Sequence, residues 1–148
     1  MTTARRSSRR FALDTLYEAE IRDMLPLEAF AERQKMGWSA EGGGDESMDE
    51  QPEGEVLDYA RSLVAGVQEH HADLDVLIGK YADRWAIERM PVIDRSLLRM
   101  ALFELLWGDD IPVAVAINEA VELAKSLSTE DSGRFVNGLL GKIAEQEL

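Results

Sequence analysis

Apolar residues recur along this chain at intervals of three and four rather than in alternation, which predicts helices and no strands. One stretch departs from that amphipathic rhythm. In PVIDRSLLRMALFELLWG, residues 91 to 108, nine of the eleven residues from Leu97 to Trp107 are apolar. Turned at about 100° per residue, Leu97, Leu98, Met100, Leu102, Phe103, Leu105, Leu106 and Trp107 spread around the whole circumference instead of forming one stripe. The spacing predicts a central helix over 91–108 that needs neighbours on every side. Asp94, Arg95, Arg99 and Glu104 within it argue against a membrane span.

Single-faced helices are predicted on either side. In FALDTLYEAEI and the residues after it, Leu13, Leu16, Tyr17 and Met24 share a face, and Arg5, Arg6, Arg9 and Arg10 fall in nearly the same sector. Burying arginines is costly, so the first turns are expected to protrude beyond the core or fray. A short helix over 26–36 carries Leu27, Phe30 and Ala31 and stops at Gly37. A long pattern follows with Val56, Tyr59, Ala60, Leu63, Val67, Leu74, Leu77 and Ile78 on one face, broken near His70 to Asp73. Pro91 fits the first turn of the central helix, and Gly108 ends it.

Asp109, Asp110 and Pro112 then open PVAVAINEAVELAKSLS, whose expected buried face is Val113, Ile117, Ala120, Val121, Leu123, Ala124 and Leu127. Ser128 and Asp131 read as a capping box for a last helix from about Thr129, with Val136, Leu139, Leu140 and Ile143 as its stripe and Phe135 at the stripe's edge. Gly133, Gly138 and Gly141 lie inside that helix, each costing about 1 kcal/mol relative to alanine. Two explanations are open. Either another helix of the chain packs tightly there, or an outside partner docks beside Arg134, Asn137 and Lys142.

Composition changes the picture in one respect, the distribution of charge. The chain has 148 residues and 45% hydrophobic content, enough for one domain or two tightly packed halves. It has no cysteine and no secretory apolar region, which points to the cytoplasm. The net charge of −13 would argue against a nucleic-acid partner if it were spread evenly. It is not. Eight acids and no base lie between Glu41 and Asp58, around Gly42, Gly43 and Gly44, and residues 39–53 read as a disordered acidic insertion. Residues 1–10, in contrast, hold four arginines and no acid.

These arginines are either a solubilising tail or an RNA-binding arm, since arginine offers phosphate a planar, permanently charged fork and stacks on bases. His70 and His71 beside Asp73 and Asp75 argue poorly for a metal, because adjacent residues point apart and His70 lies on the apolar stripe. No catalytic constellation and no cofactor motif is found.

Three segments together carry a resemblance. RRFALDTLYEAE, DRSLLRMALFELL and PVAVAINEAVELAKSLSTEDSGRFVNGLLGKIA strongly resemble the NusB transcription antitermination factors over about three quarters of the chain, leaving out mainly residues 37–54. The resemblance implies an all-α fold of about seven helices, two roughly perpendicular three-helix bundles sharing a long central helix. It implies a single RNA-binding domain over 1–148, with a basic arm at 1–10. Implied partners are boxA-type single-stranded RNA of ribosomal RNA leaders, the small-subunit ribosomal protein that acts as NusE, and the RNA polymerase antitermination complex.

By the same resemblance Arg5, Arg6, Arg9 and Arg10 match the family's basic arm, and Phe135 and Asn137 match its C-terminal RNA-facing motif, with Arg134 and Lys142 beside them. Tyr17 and the surface around Glu104 are candidates for the protein partner. The acidic insertion departs from the family's more compact connection. Two other readings remain: a helical scaffold that self-associates without RNA, and a NusB-like module associated with ribosomal RNA modification. The sequence is compatible with a monomer and with a homodimer.

Overall fold

The computed structural model describes residues 3–37, 52–82, 86–108 and 111–148. Its helices are α1 (Thr3–Ile21), α2 (Pro26–Met36), α3 (Gly54–Glu69), α4 (His71–Tyr81), α5 (Val92–Trp107), α6 (Val113–Leu127) and α7 (Glu130–Glu147), with a 3-10 turn at Ile87–Arg89. Among the described residues there are no strands, as the periodicity predicts. The chain divides into two compact units, Met1–Gln68 and Glu69–Leu148. Most of the expected acidic insertion, residues 39–51, lies outside the described residues, as do Asp109 and Asp110.

In the first unit, α1 is helical from Thr3, so the four arginines sit within a folded helix rather than on a fraying arm. The buried side of α1 is made by Phe11, Ala12, Leu13, Thr15, Leu16 and Ala19. Small residues on that face let the helix settle deeply, and Arg9 is carried in with them to 3% exposure, engaged by other groups of the chain. The helix ends in a Schellman turn. Asp23 takes a positive φ of 54°, Met24 N–H donates to Ala19 C=O at 2.8 Å, and Asp23 N–H donates to Glu20 C=O at 3.3 Å.

Arg33 of α2 fastens the two helices, donating to both Glu18 carboxylate oxygens at 2.8 and 3.1 Å and lying 3.1 Å from Asp14 Oδ2 in ion-pair geometry. Burial raises the Asp14 carboxyl above its usual range, and the nearby Arg33 charge only partly offsets this. The first turn of α2 would leave an N–H without a partner, and α3 supplies one: Leu27 N–H donates to Gln68 Oε1 at 2.8 Å. Ser8 Oγ, 2.9 Å from both Ala4 C=O and Val56 C=O, ties α1 to the start of α3. Gly37, with φ of 85°, stops α2 where a side chain would be strained.

In the second unit α5 is the middle element, with α4, α6 and α7 packed on it. Ten of its sixteen residues are buried, and they include Asp94, Ser96, Arg99 and Glu104 as well as the apolar ones, so the helix has almost no solvent face. Two of its arginines are tied to neighbouring elements. Arg99 grips Asp75 of α4 through Nε–Oδ1 at 2.7 Å and Nη2–Oδ2 at 3.1 Å. Arg95 Nη1 lies within 3.4 Å of the carbonyls of Ile87, Glu88 and Met90 and so holds the preceding turn. Gly108 caps the end of α5, at a position where a Cβ would collide with the Glu104 carbonyl.

Two boundary expectations are corrected. α7 is capped by Thr129, whose Oγ1 accepts from Ser132 N–H at 3.0 Å, one residue later than the Ser128–Asp131 box. α6 has Pro112 at its cap position with no side-chain cap, because a proline side chain carries no hydrogen-bond acceptor. The fully buried seam of α6 is narrower than the wheel suggests. It is Ala116, Ala120 and Ala124, while Val113 is exposed and Ile117, Val121, Leu123 and Leu127 are half-buried. Alanine at every fourth position brings α6 close to α7, and a Cβ on Gly133 would meet Lys125 Cγ at 2.8 Å.

The C-terminal end of α7 is fastened to α4 by one carboxylate. Glu147 Oε2 accepts from Tyr81 Oη at 2.5 Å and from Lys80 Nζ at 3.1 Å. The Tyr81 hydrogen bond first, and Lys80 second, hold the Glu147 carboxyl below its ordinary value. A carboxyl depressed in the folded state contributes stability above its unfolded value and loses it as pH falls through the folded one. Acidification below the ordinary carboxylate range should therefore lower hydrogen-exchange protection of the last turn of α7 selectively. Glu147→Gln should show the same loss at neutral pH and little further change in acid; equal protection in both proteins at both pH values would dissolve the clasp.

Candidate nucleic-acid interface

Two surfaces hold the residues singled out by sequence, one in each unit. On α1 the four arginines part company. Arg9 is buried, which removes it from direct contact with an external phosphate while α1 stays packed. Arg5 lies over the Tyr59 ring of α3, its guanidinium carbon 3.9 Å from the ring centre. Arg6 is exposed and Arg10 half-buried.

At about 100° per residue, Arg6 and Arg10 share an outward flank with Tyr17 and Ile21, so basic residues at the N-terminal half of α1 give way to apolar ones at the C-terminal half. Tyr17, placed by its periodicity on the buried face, is 40% exposed. Ile21 and Leu25, at 58% and 59%, extend the apolar end and were not singled out by sequence. Their signal is the four-residue spacing from Tyr17 to Ile21 to Leu25. The periodicity places Tyr59 on the stripe of α3, and nothing in the sequence pairs it with Arg5. A cleft of about 360 Å³ opens beside the Arg5–Tyr59 stack, lined by Ala4, Arg5, Ser8, Glu55, Asp58, Tyr59 and Ser62.

On α7, Phe135 is half-buried, while Arg134, Asn137 and Lys142 are exposed. Phe135 and Asn137 are two residues apart and so about 200° apart around the helix. They flank an exposed ridge rather than forming one face. Arg134, ion-paired with Asp131, and Gly138 and Gly141 make up that ridge, with Lys142 on the Phe135 side. Packing within the chain accounts for one of the three glycines. Gly133 is occupied by packing against Lys125, whereas a Cβ on Gly138 or Gly141 would meet nothing within 4 Å. Gly138→Ala should accordingly stabilise the protein by about 0.5–1 kcal/mol, read as a rise in melting temperature. A fall would mean that α7 is bent or crowded at that point.

Glu104 is the clearest correction. It is 2% exposed and engaged within the chain, because α5 is enclosed along most of its length, so it offers no surface to a protein partner. Elsewhere in the second unit His70 stacks on Trp107 with ring centres 3.8 Å apart, and Phe103 continues the stack. His71 lies 3.7 Å from Asp75. Among the described residues no group of three or more His, Asp or Glu is placed to hold a metal. No described helix is long and apolar enough to cross a membrane.

Known proteins resemble the chain over nearly all of its length. The family model described as the NusB family matches residues 6–145. A protein of Salinispora arenicola named transcription antitermination protein NusB is 49% identical, over 96% of each chain. Its namesake from Thermobifida fusca is 41% identical, over 97% of this chain and 91% of its own. The solved structure of T. maritima NusB superposes with a TM-score of 0.80 at 35% identity, covering 99% of this chain and 94% of that one. A structure of antitermination factors NusB and NusE in complex with dsRNA superposes with a TM-score of 0.80 at 25% identity, covering 99% of each chain. Identity this high over nearly the full length means that the chain belongs to the NusB family.

Proposed function

We propose that the chain is a transcription antitermination factor. It binds boxA-type RNA of ribosomal RNA leaders together with the small-subunit ribosomal protein acting as NusE, and joins the RNA polymerase complex in the cytoplasm without catalysing a reaction. The observation that carries this reading is the 49% identity over 96% of both chains to a protein named for antitermination. The outward flank of α1 fits it: Arg6 and Arg10, with Arg5 from its Tyr59 platform, would hold phosphates, while Tyr17 and Ile21 offer an apolar strip to the ribosomal protein.

On α7, Phe135 would stack on an unpaired base and Asn137 would read a base edge with its donor and acceptor, one on either side of the bare ridge. Arg134 and Lys142 would meet the backbone. Arg9, being buried, would support the helix and not the strand.

Equilibrium binding tests the reading directly. A boxA-type single strand, a scrambled single strand and an RNA duplex are each titrated with and without the purified ribosomal protein. The boxA strand should bind best, and the ribosomal protein should tighten it. Equal affinity for all three RNAs, unaltered by the protein, would leave a helical scaffold as the better account.

A further inference from the structure

The N-terminal turn of α7 is held by a carboxylate buried in another helix. Asp94, in the first turn of α5 and 2% exposed, accepts from Ser132 Oγ through Oδ2 at 2.9 Å. Ser132 Oγ also lies 2.9 Å from Ser128 Oγ and 3.2 Å from Thr129 Oγ1. The single Ser132 hydroxyl proton goes to Asp94, so Ser128 and Thr129 must be the donors to Ser132, which then gives one hydrogen bond and accepts two. The Ser128 and Thr129 hydroxyls thus point to Ser132, and Ser132 to Asp94. Ser132 N–H returns to Thr129 Oγ1 at 3.0 Å and closes the cap of α7. The other carboxylate oxygen, Asp94 Oδ1, is buried with no hydrogen-bond partner among the described residues. A buried polar oxygen left in that condition is costly, and Leu or Met would fill the same space without the cost. Core packing alone therefore does not account for Asp94.

The Asp94–Ser132 bond joins the first turn of α5 directly to the first turn of α7. Phe135 and Asn137 follow Ser132 by three and five residues on the same rigid helix. A rotation of about 20° would carry a side-chain tip ~6 Å from the axis by roughly 2 Å, whereas a base-edge hydrogen bond tolerates only a few tenths of an ångström. Apolar packing of Val136, Leu139, Leu140 and Ile143 allows some rotation, because contact between apolar surfaces is not directional. A hydrogen bond to a fixed carboxylate does not.

We infer that Asp94 is a positioning residue for RNA sequence recognition: through Ser132 it sets the rotation of α7 and thereby the aim of Phe135 and Asn137. The inference rests on the proposed role of α7 in reading RNA.

The test uses Asp94→Leu, Ser132→Ala, the double variant, the conservative Asp94→Asn, and Asn137→Ala as an independent probe of the RNA site. Two readouts are taken: the ratio of affinities for a boxA-type and a scrambled single strand, and hydrogen-exchange protection of amides 132–137. Asp94→Leu and Ser132→Ala should each lower the affinity ratio about tenfold, with the scrambled strand bound within about twofold of normal, and the double variant should go no further. Asp94→Asn keeps an acceptor for Ser132 and should stay within about twofold of the unaltered protein, which a general loss of charge would not explain. Protection at 132–137 should drop in the two single variants and hold in Asp94→Asn. If Asp94→Leu fails to fold, Ser132→Ala breaks the same bond with a smaller change and decides the matter.

An unchanged affinity ratio in Ser132→Ala, beside a lowered ratio in Asn137→Ala, overturns the positioning role and leaves the RNA site standing. An unchanged ratio in Asn137→Ala removes the α7 site, and the positioning role with it.

Discussion

Leu102→Asp should leave no folded protein to purify. Leu102 is fully buried in α5, where α4, α6 and α7 crowd the helix and no turn of the side chain reaches water. The change forfeits about 1.5–3 kcal/mol of apolar burial and introduces a charge with no partner. The combined cost, on the order of 5 kcal/mol or more, rivals the entire stability of an ordinary domain, about 5–15 kcal/mol. Leu102→Met, which conserves volume, should lose less than about 1.5 kcal/mol. Soluble yield, far-ultraviolet circular dichroism and melting temperature check both. A soluble Leu102→Asp protein that melts with the original would mean that α5 is not enclosed.

The second large effect belongs to α1. Replacing Arg5, Arg6 and Arg10 together by glutamine should weaken boxA-type and scrambled single strands alike, because an arginine on a phosphate carries no sequence information. Every arginine–phosphate pair removed should flatten the dependence of log affinity on log salt by about 0.7, so the slope should fall by about 2. Extrapolated from 1 M, where the electrostatic contribution vanishes, to about 0.1 M salt, that is roughly a hundredfold loss of affinity. Asn137→Ala should act differently, lowering cognate preference by roughly 1–3 kcal/mol, by analogy with base readout in DNA, while leaving the slope alone. Adding Arg9→Gln should give a loss of stability and no further change in slope, since that guanidinium is buried. A triple variant with an unaltered slope would show that α1 does not meet phosphate.

Helix placement was legible because it depends on local spacing. The apolar circumference of 97–107, the stop at Gly37 and the break at His70 are each written in a handful of neighbouring residues, and all three are found. The rotation of an element was less legible. Arg9 and Tyr17 lie about 80° apart on the wheel of α1, and the edge of the buried arc falls between them, because small residues such as Ala12 and Ala19 centre that arc on the Arg9 side. Hydrophobic strength along the sequence does not report how closely a neighbour can approach. The same limit applies to α6, whose seam is alanine rather than the valines and leucines on its flanks.

Glu104 and Asp94 were illegible for another reason. A charged residue in an enclosed helix is held by groups remote in sequence, as Ser132 holds Asp94 across 38 positions. Of the RNA-site candidates, family resemblance supplied the positions. The two-residue spacing already divides Phe135 from Asn137, but only the three-dimensional arrangement separates Arg5, Arg6, Arg9 and Arg10 into three environments.

The outward flank of α1 has a thermodynamic consequence. From Arg10 to Tyr17 is seven residues, or roughly 10 Å along the helix axis. An RNA on the basic end and a protein on the apolar end would be neighbours on one rigid rod and could not ignore each other. Each must change the other's affinity by the same factor, because the free energy of the doubly bound state does not depend on the order of arrival. Measuring how much RNA tightens the protein therefore fixes how much the protein tightens RNA. For a helix with six residues between the two proposed contacts, a factor of one would be the surprising result.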